Sequence, residues 1–175
     1  MARSAKHVKL IAILESSEHA AGWHFVKVPR VIGERFPNDG RSRRVVCTLN
    51  ESETIQCALM PSGGDFLILV NKRVRTALGV LSGDKLELSL SPDTSRYGLP
   101  MPEEFEEVLK QDAEGDKLFH ALTPGRQRSL IFLVTSGKDV DKRIHKALLI
   151  VEHLKENDGR IDSVKLYREL QRPLV

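Results

Sequence analysis

The sequence predicts an α+β protein, with a β-barrel over residues 1–95 and a small helical domain over residues 96–175. Three observations lead there. Up to Ser91 the chain is a series of short apolar, β-branched runs punctuated by Pro, Gly, Asn and Asp, the pattern of strands joined by tight turns. After Pro102 the apolar spacing changes to three and four residues, the period of a helix packed along one side. Between the two lies SPDTSRYGLPMP (Ser91–Pro102), rich in Pro, Gly and Ser, which reads as a linker.

The elements follow in order. VKLIAIL (Val8–Leu14) reads as a first strand behind a short leader. Lys9 interrupts its apolar run and Glu15 ends it, with no small-residue cleavage site after it, so it does not read as a signal peptide. Ala21-Gly22 is a turn. In WHFVKVP (Trp23–Pro29), Trp23, Phe25 and Lys27 alternate with His24, Val26 and Val28, one set to each face of a sheet. Pro29 cannot donate to a strand ladder and suits a helix start, so PRVIGERF (Pro29–Phe36) reads as a short helix. RRVVCTLN and TIQCALM form a hairpin across Glu51-Ser52-Glu53. Pro61-Ser62-Gly63-Gly64 turns into DFLILVN (Asp65–Asn71), KRVRTALG is a second short helix, and KLELSLS (Lys85–Ser91) is the last strand. Strand, short helix, turn and strand thus occur twice, with Arg30-Val31 where Arg73-Val74 recurs. About six strands at such short spacing favour a closed or nearly closed barrel, which leaves few exposed edges.

In the second half, Pro102 opens a helix with Glu103, Glu104, Glu106 and Glu107 near its positive end. Thr123-Pro124-Gly125 opens another. The longest pattern is Val140, Ile144, Ala147/Leu148, Val151 and Leu154. It predicts a central helix that ends at Asn157-Asp158-Gly159, with Leu148 in its core stripe and Leu149 and Ile150 on a second buried side. Asp162 or Ser163 caps a last helix.

Composition narrows the function classes. No apolar run reaches the roughly 20 residues of a membrane-spanning helix, so a cytoplasmic chain without a membrane partner is expected. The formal net charge of +3 is too small to imply nucleic acid, and Leu99–Phe119 holds seven acids against two bases, which should repel phosphates. Arg126–Lys146 reverses the balance, with six bases against two acids. Cys47 and Cys57 lie in predicted strands without metal-ligand spacing and read as buried thiols. A monomer or weak dimer with no cofactor and no metal is expected.

Several motifs resemble known families. WHFVKVP, VVCTLN and CALMPSGGDFLILVNKRVRTALGVLSGDKLELSL, over roughly Val8–Asp93, resemble a bacterial domain-of-unknown-function family. That family is similar in fold to the double-split β-barrel of the AbrB/MazE class, and here the internal repeat would supply both halves from one chain. PMPEEFEEVL, FHALTPGRQRSLIFLVTSGK and KRIHKAL resemble the helical family named for bacteriocin protection (YdeI) or OmpD association. Two departures stand out. The family's Thr-Arg pair between the lysine and Arg-Ile is missing between Lys138 and Arg143-Ile144, and the hairpin carries Glu51 where glycine is usual.

No catalytic constellation is present: no GxSxG elbow, P-loop or HExxH. The expectation is a non-enzymatic binding or interaction protein, whose barrel groove takes a small molecule or peptide. Its link to stress or bacteriocin protection is implied by the resemblance. A DNA- or RNA-binding regulator is the alternative by analogy with AbrB-like barrels, and an unrecognised enzyme is a third. Candidate ligand-binding residues are Trp23, Asn50, Met60, Lys72 and Arg75 in the barrel and Arg126, Lys138 and Arg143 in the helical part. Trp23 supplies a large anchor with one donor, and the arginines supply forks for carboxylate or phosphate. Arg41, Arg43 and Arg44 form a further basic group that reads as a solvated surface with ion pairs, and Ser62-Gly63-Gly64, a turn able to offer amides to an anion, reads as a plain hairpin turn.

Overall fold

The structure, a computed structural model, describes residues 7–18, 22–40 and 42–173. The leader before residue 7, Ala21 of the predicted turn and Arg41 of the basic group lie outside the described residues. The chain divides into two compact units, Met1–Thr94 and Ser95–Val175.

The first unit is a nearly closed antiparallel barrel. Its elements are β1 (Val8–Ile13), β2 (Glu15–Ser16), β3 (His24–Val28), α1 (Arg30–Gly33), β4 (Arg43–Leu49), β5 (Glu53–Ser62), β6 (Asp65–Leu69), α2 (Lys72–Leu78) and β7 (Lys85–Pro92). The strand order is β1-β7-β4-β5-β6-β3-β2. β1 and β2 flank Leu14, so one stretch of chain pairs with β7 at one end of the order and with β3 at the other. The expected strand Val8–Leu14 is β1, one residue shorter, the two-residue β2 follows it, and the bend between them brings the two ends of the sheet together. The sequence repeat is a structural repeat. β3–α1–β4 and β6–α2–β7 have the same order, β3 pairs with β6, and β4 pairs with β7.

Period-2 alternation fills the barrel. Val26, Val28, Val45, Cys47, Leu49, Ile68, Leu86, Leu88 and Leu90 point inward and are buried, while Lys27, Thr54, Lys85 and Glu87 face out. The β4–β5 loop comprises residues 50–52, because Leu49 pairs with Glu53. It starts one residue earlier than the sequence suggests. Asn50 and Glu51 both have positive φ, 48° and 55°, and the Ser52 N–H donates to the Leu49 carbonyl at 3.0 Å. This is the backbone of a type I′ turn, whose twist matches that of the strands. α1 is four residues long, shorter than the predicted Pro29–Phe36 helix. α2 is capped at both ends, by the Asn71 side chain accepting from Val74 N–H and by Gly79 at φ 65°.

The second unit contains α3 (Glu103–Gln111), α4 (Ala113–His120), α5 (Pro124–Thr135), α6 (Val140–Glu156) and α7 (Ser163–Leu170). α6 packs against each of the other four. Asp112, Asp139 and Asp162 cap α4, α6 and α7 through their carboxylates. The buried face of α6 is Ala147, Leu149, Ile150, Val151, His153 and Leu154. Leu148 is 52% exposed, so it is not the core position that the spacing suggests. The helix is rotated so that Ile150 and Leu154 occupy the centre, and Val140, Ile144 and Leu148 lie on its outer side. His153 and Glu169 are the buried polar pair of this unit. Asp162 N–H donates to His153 Nε2 at 3.2 Å, so the ring proton sits on Nδ1 and is donated to Glu169 Oε2 at 2.7 Å. The ring is thereby satisfied on both sides and ties α7 to α6.

Candidate ligand site of the barrel

The expected site residues do not converge on one place. Trp23 is 55% exposed just before β3. The alternation of that strand sends its side chain outward with Phe25 and Lys27, whereas His24 lies on the other face. Met60 is half-buried on β5, opposite Leu67. Lys72 is exposed in the first turn of α2. Arg75, one turn later, donates from Nη1 to His24 Nε2 at 3.1 Å, and His24 Nδ1 in turn bonds the Gly22 carbonyl at 3.0 Å. Asn50 serves the fold. Its N–H donates to the Glu87 carbonyl and its Oδ1 accepts from Glu87 N–H, both at 2.9 Å, which ties the β4–β5 turn to β7. In the helical unit Arg126 and Lys138 are exposed. Arg143 holds Glu104 through Nε at 2.9 Å and Nη2 at 2.8 Å, a clamp between α6 and α3. The guanidinium bonding Glu104 holds that carboxyl below the usual range.

Two concave surfaces of the barrel, among the described residues, gather polar side chains. One, about 660 Å³, lies over the outer face of β1, β7 and β4 and is lined by His7, Lys9, Ile11, Thr48, Glu87 and Ser89 among others. Its side chains are mostly satisfied by each other: His7 Nε2 bonds Ser89 Oγ at 2.8 Å, Thr48 bonds Thr54 at 3.0 Å, and Lys9 pairs with Glu51 at 3.6 Å. The other, about 450 Å³, lies between α1 and the β5–β6 turn. It joins Arg43 and the Ser62-Gly63-Gly64 turn, neither of them among the expected site residues, with Arg30, Glu34, Asn38, Asp65 and Phe66.

Local structure builds this second site. Ser62 pairs with Asp65, so Gly63 and Gly64 form a two-residue hairpin turn at φ 58° and 89°. Nothing lies within 4 Å of where a Cβ would stand on either glycine, so the turn is open. Gly33 ends α1 against the Phe66 ring, where a Cβ would overlap the aromatic carbons. This close approach lets α1 lie down on β6. Asp65 Oδ1 accepts from the Arg30 N–H at 3.1 Å, satisfying one of the unpaired donors at the start of α1. Arg30 Nε donates to Glu34 Oε1 at 2.7 Å. Arg43 enters from the start of β4. Its guanidinium donates to the Phe36 carbonyl and lies 6.0 Å from the Phe66 ring centroid. Among the described residues no carboxylate comes within ion-pairing distance of Arg43. The Asn38 side-chain carbonyl accepts from Gly40 N–H at 3.0 Å, leaving its amide nitrogen as a donor.

The chemistry on offer is recognition. A fixed guanidinium, an amide, a hydroxyl and an open Gly-Gly turn surround a space within the 300–1,000 Å³ range of small-ligand sites. Among the described residues there is no group of three His, Cys, Asp or Glu arranged to hold a metal. Cys47 and Cys57 lie on the inner face of the barrel, where burial pushes the Cys57 thiol up to about 12 and the Cys47 thiol higher still. Neither is a thiolate nucleophile at neutral pH. Sequence reasoning missed Asp65, whose contact with Arg30 joins residues 35 apart. Its only sequence signal was its place directly after the double glycine.

Comparison with known proteins divides the chain at the same linker. Residues 11–90 match the family described as a domain of unknown function, DUF1905. Residues 99–157 match the family described as bacteriocin-protection, YdeI or OmpD-associated. No curated protein matches the chain.

Proposed function

We propose that the protein is a non-enzymatic binding protein whose barrel takes a small molecule or peptide, through an anionic group, in the cavity between α1 and the β5–β6 turn. The observation that carries this reading is Arg43, a half-buried cation held in a fixed pose by the Phe36 carbonyl and the Phe66 ring, with no carboxylate partner among the described residues. A half-buried guanidinium gains most from a partner that accepts two parallel hydrogen bonds, and a carboxylate or phosphate does so. The open Gly63-Gly64 turn beside it lets backbone amides reach the same group. The description of the helical family by protection and association supports binding rather than turnover as the role of the whole chain.

The test is an NMR titration of the ¹⁵N-labelled full chain with N-acetyl-L-alanine, a probe whose only charge is a carboxylate. The Gly63 and Gly64 amides should shift saturably, and Arg43→Met, which keeps the length and loses the charge, should abolish the shift. Unchanged binding by Arg43→Met would remove the basis of the reading.

A further inference from the structure

Four charged side chains line the cavity between α1 and the β5–β6 turn, and they fall into two kinds. Arg30 and Glu34 neutralise each other one helical turn apart, at 2.7 Å. Arg43 and Asp65 do not pair with each other, and among the described residues neither pairs with any other opposite charge. Asp65 spends Oδ1 on the Arg30 backbone N–H, a neutral donor, and keeps Oδ2. Both residues are half-buried. Among the described residues the wall therefore carries one uncompensated positive charge and one uncompensated negative charge. A simple anion would compensate Arg43 and leave Asp65 facing it with the same sign. A ligand of both signs compensates each.

We infer that the cavity selects zwitterions: free amino acids or short peptides bearing a carboxylate and an ammonium group. This deepens the anion-binding reading above and rests on it. The carboxylate takes the Arg43 guanidinium, with the Gly63-Gly64 amides and the Ser62 hydroxyl beside it. The ammonium takes Asp65 Oδ2. Selectivity arises because blocking either end of the ligand leaves a partly desolvated charge without its partner, and such a mismatch is penalised more heavily than a good contact is rewarded. The volume of about 450 Å³ suits a ligand of one to a few residues.

The experiment compares three probes on the ¹⁵N-labelled full chain, read at the Gly63 and Gly64 amides: L-alanyl-L-alanine, N-acetyl-L-alanine and L-alaninamide. The dipeptide should bind at least about tenfold more tightly than either blocked probe, the size expected for one charge-assisted hydrogen bond. In Asp65→Asn, whose Oδ1 can still accept from Arg30 N–H, the dipeptide should lose that advantage while N-acetyl-L-alanine binds at least as tightly as before. If N-acetyl-L-alanine binds the unmodified protein as tightly as the dipeptide, the zwitterion inference fails and the anion reading stands. If none of the three moves Gly63 or Gly64, both fail.

Discussion

Glu51 stands at φ 55°, a conformation in which a side chain crowds its own backbone. Left-handed backbone costs a residue with a Cβ about 1–2 kcal/mol, and glycine avoids the cost. Its neighbour Asn50 tolerates the same region and also holds Glu87, so only Glu51 is misplaced. Its ion pair with Lys9 is about three-quarters exposed on the glutamate side and worth little. Glu51→Gly should therefore raise stability by about 0.5–1 kcal/mol after the extra flexibility of the unfolded chain is counted. A urea midpoint at or below that of the unmodified protein would refute this. Here the sequence was legible, since a glutamate where the resembled family carries glycine marks a turn that prefers glycine. The cysteines were legible too, as strand residues facing the core, Cys47 buried and Cys57 half-buried. With Cys57 pushed up to about 12 and Cys47 higher, neither should react with an aromatic disulfide reagent in the native protein at pH 8, and both should react at once in urea. The proposed ligand site was hardly legible. Arg43 reads as part of a solvated basic group and Ser62-Gly63-Gly64 as a plain hairpin turn, and β4 and β5 had to pair before they could be seen to share one cavity. The more conspicuous Trp23 was a poor guide, because it stands exposed before β3 and lines neither of the cavities described.

At the scale of elements, α6 separates what periodicity can give from what it cannot. The apolar positions of this helix exceed one seam, so the pattern specified a central helix buried on more than one side. It could not specify which side faces the densest packing, because Val140, Ile144 and Leu148 make as good a stripe as Ala147, Ile150 and Leu154. The surrounding helices choose the second. Ile150→Ala should cost about 2–5 kcal/mol, the range for emptying a fully buried aliphatic position. Leu148→Ala, at a side chain 52% exposed, should cost well under half as much. Urea unfolding of the two variants decides it, and equal losses would mean that the helix is rotated from the orientation described. The caps give a second expectation. The Lys155 ammonium and the Gly115 N–H hold Asp112 low, the Lys142 N–H holds Asp139 low, and the Lys165 N–H holds Asp162 low. A carboxyl depressed in the folded state contributes stability that is complete above its unfolded value, about 3.9, and is lost as pH falls from there through the depressed value. The urea midpoint of the helical unit should fall from pH 5 towards pH 2. The triple variant Asp112→Asn, Asp139→Asn, Asp162→Asn keeps a capping oxygen at each site and should show a flatter dependence over that window.

At the scale of the whole molecule, the strand order explains how a chain of short strands avoids exposing edges. β1 and β2 are consecutive in sequence and lie at opposite ends of the order, so the bend at Leu14 spans the gap that an open sheet would leave. Leu14 is fully buried, its N–H donates to the Asp84 carbonyl at 2.9 Å, and its carbonyl accepts from Gly83 N–H at 2.8 Å. The N-terminal strands are thus anchored at their bend to the turn before β7, by both groups of one peptide position. The two repeats pair with each other without them, through β3 with β6 and β4 with β7, so a chain lacking β1 and β2 still has most of its ladder. It would, however, leave β7 and β3 as unpaired edges and uncover the inward faces of Leu86, Leu88 and Val26, an invitation to pair with other chains. The repeat was visible in the sequence because its turns and arginines recur. The closure was not, because a two-residue strand such as β2 has no period to read. A chain ending at Thr94 contains the entire barrel with its own buried cluster, from Ala12 to Leu90. Expressed alone, it should give a dispersed NMR spectrum and one cooperative urea transition. The same fragment begun at Ser17 should self-associate, with sedimentation velocity showing species larger than the monomer. A monomeric, cooperatively folded fragment without β1 and β2 would mean that the barrel does not depend on the bend at Leu14 for its closure.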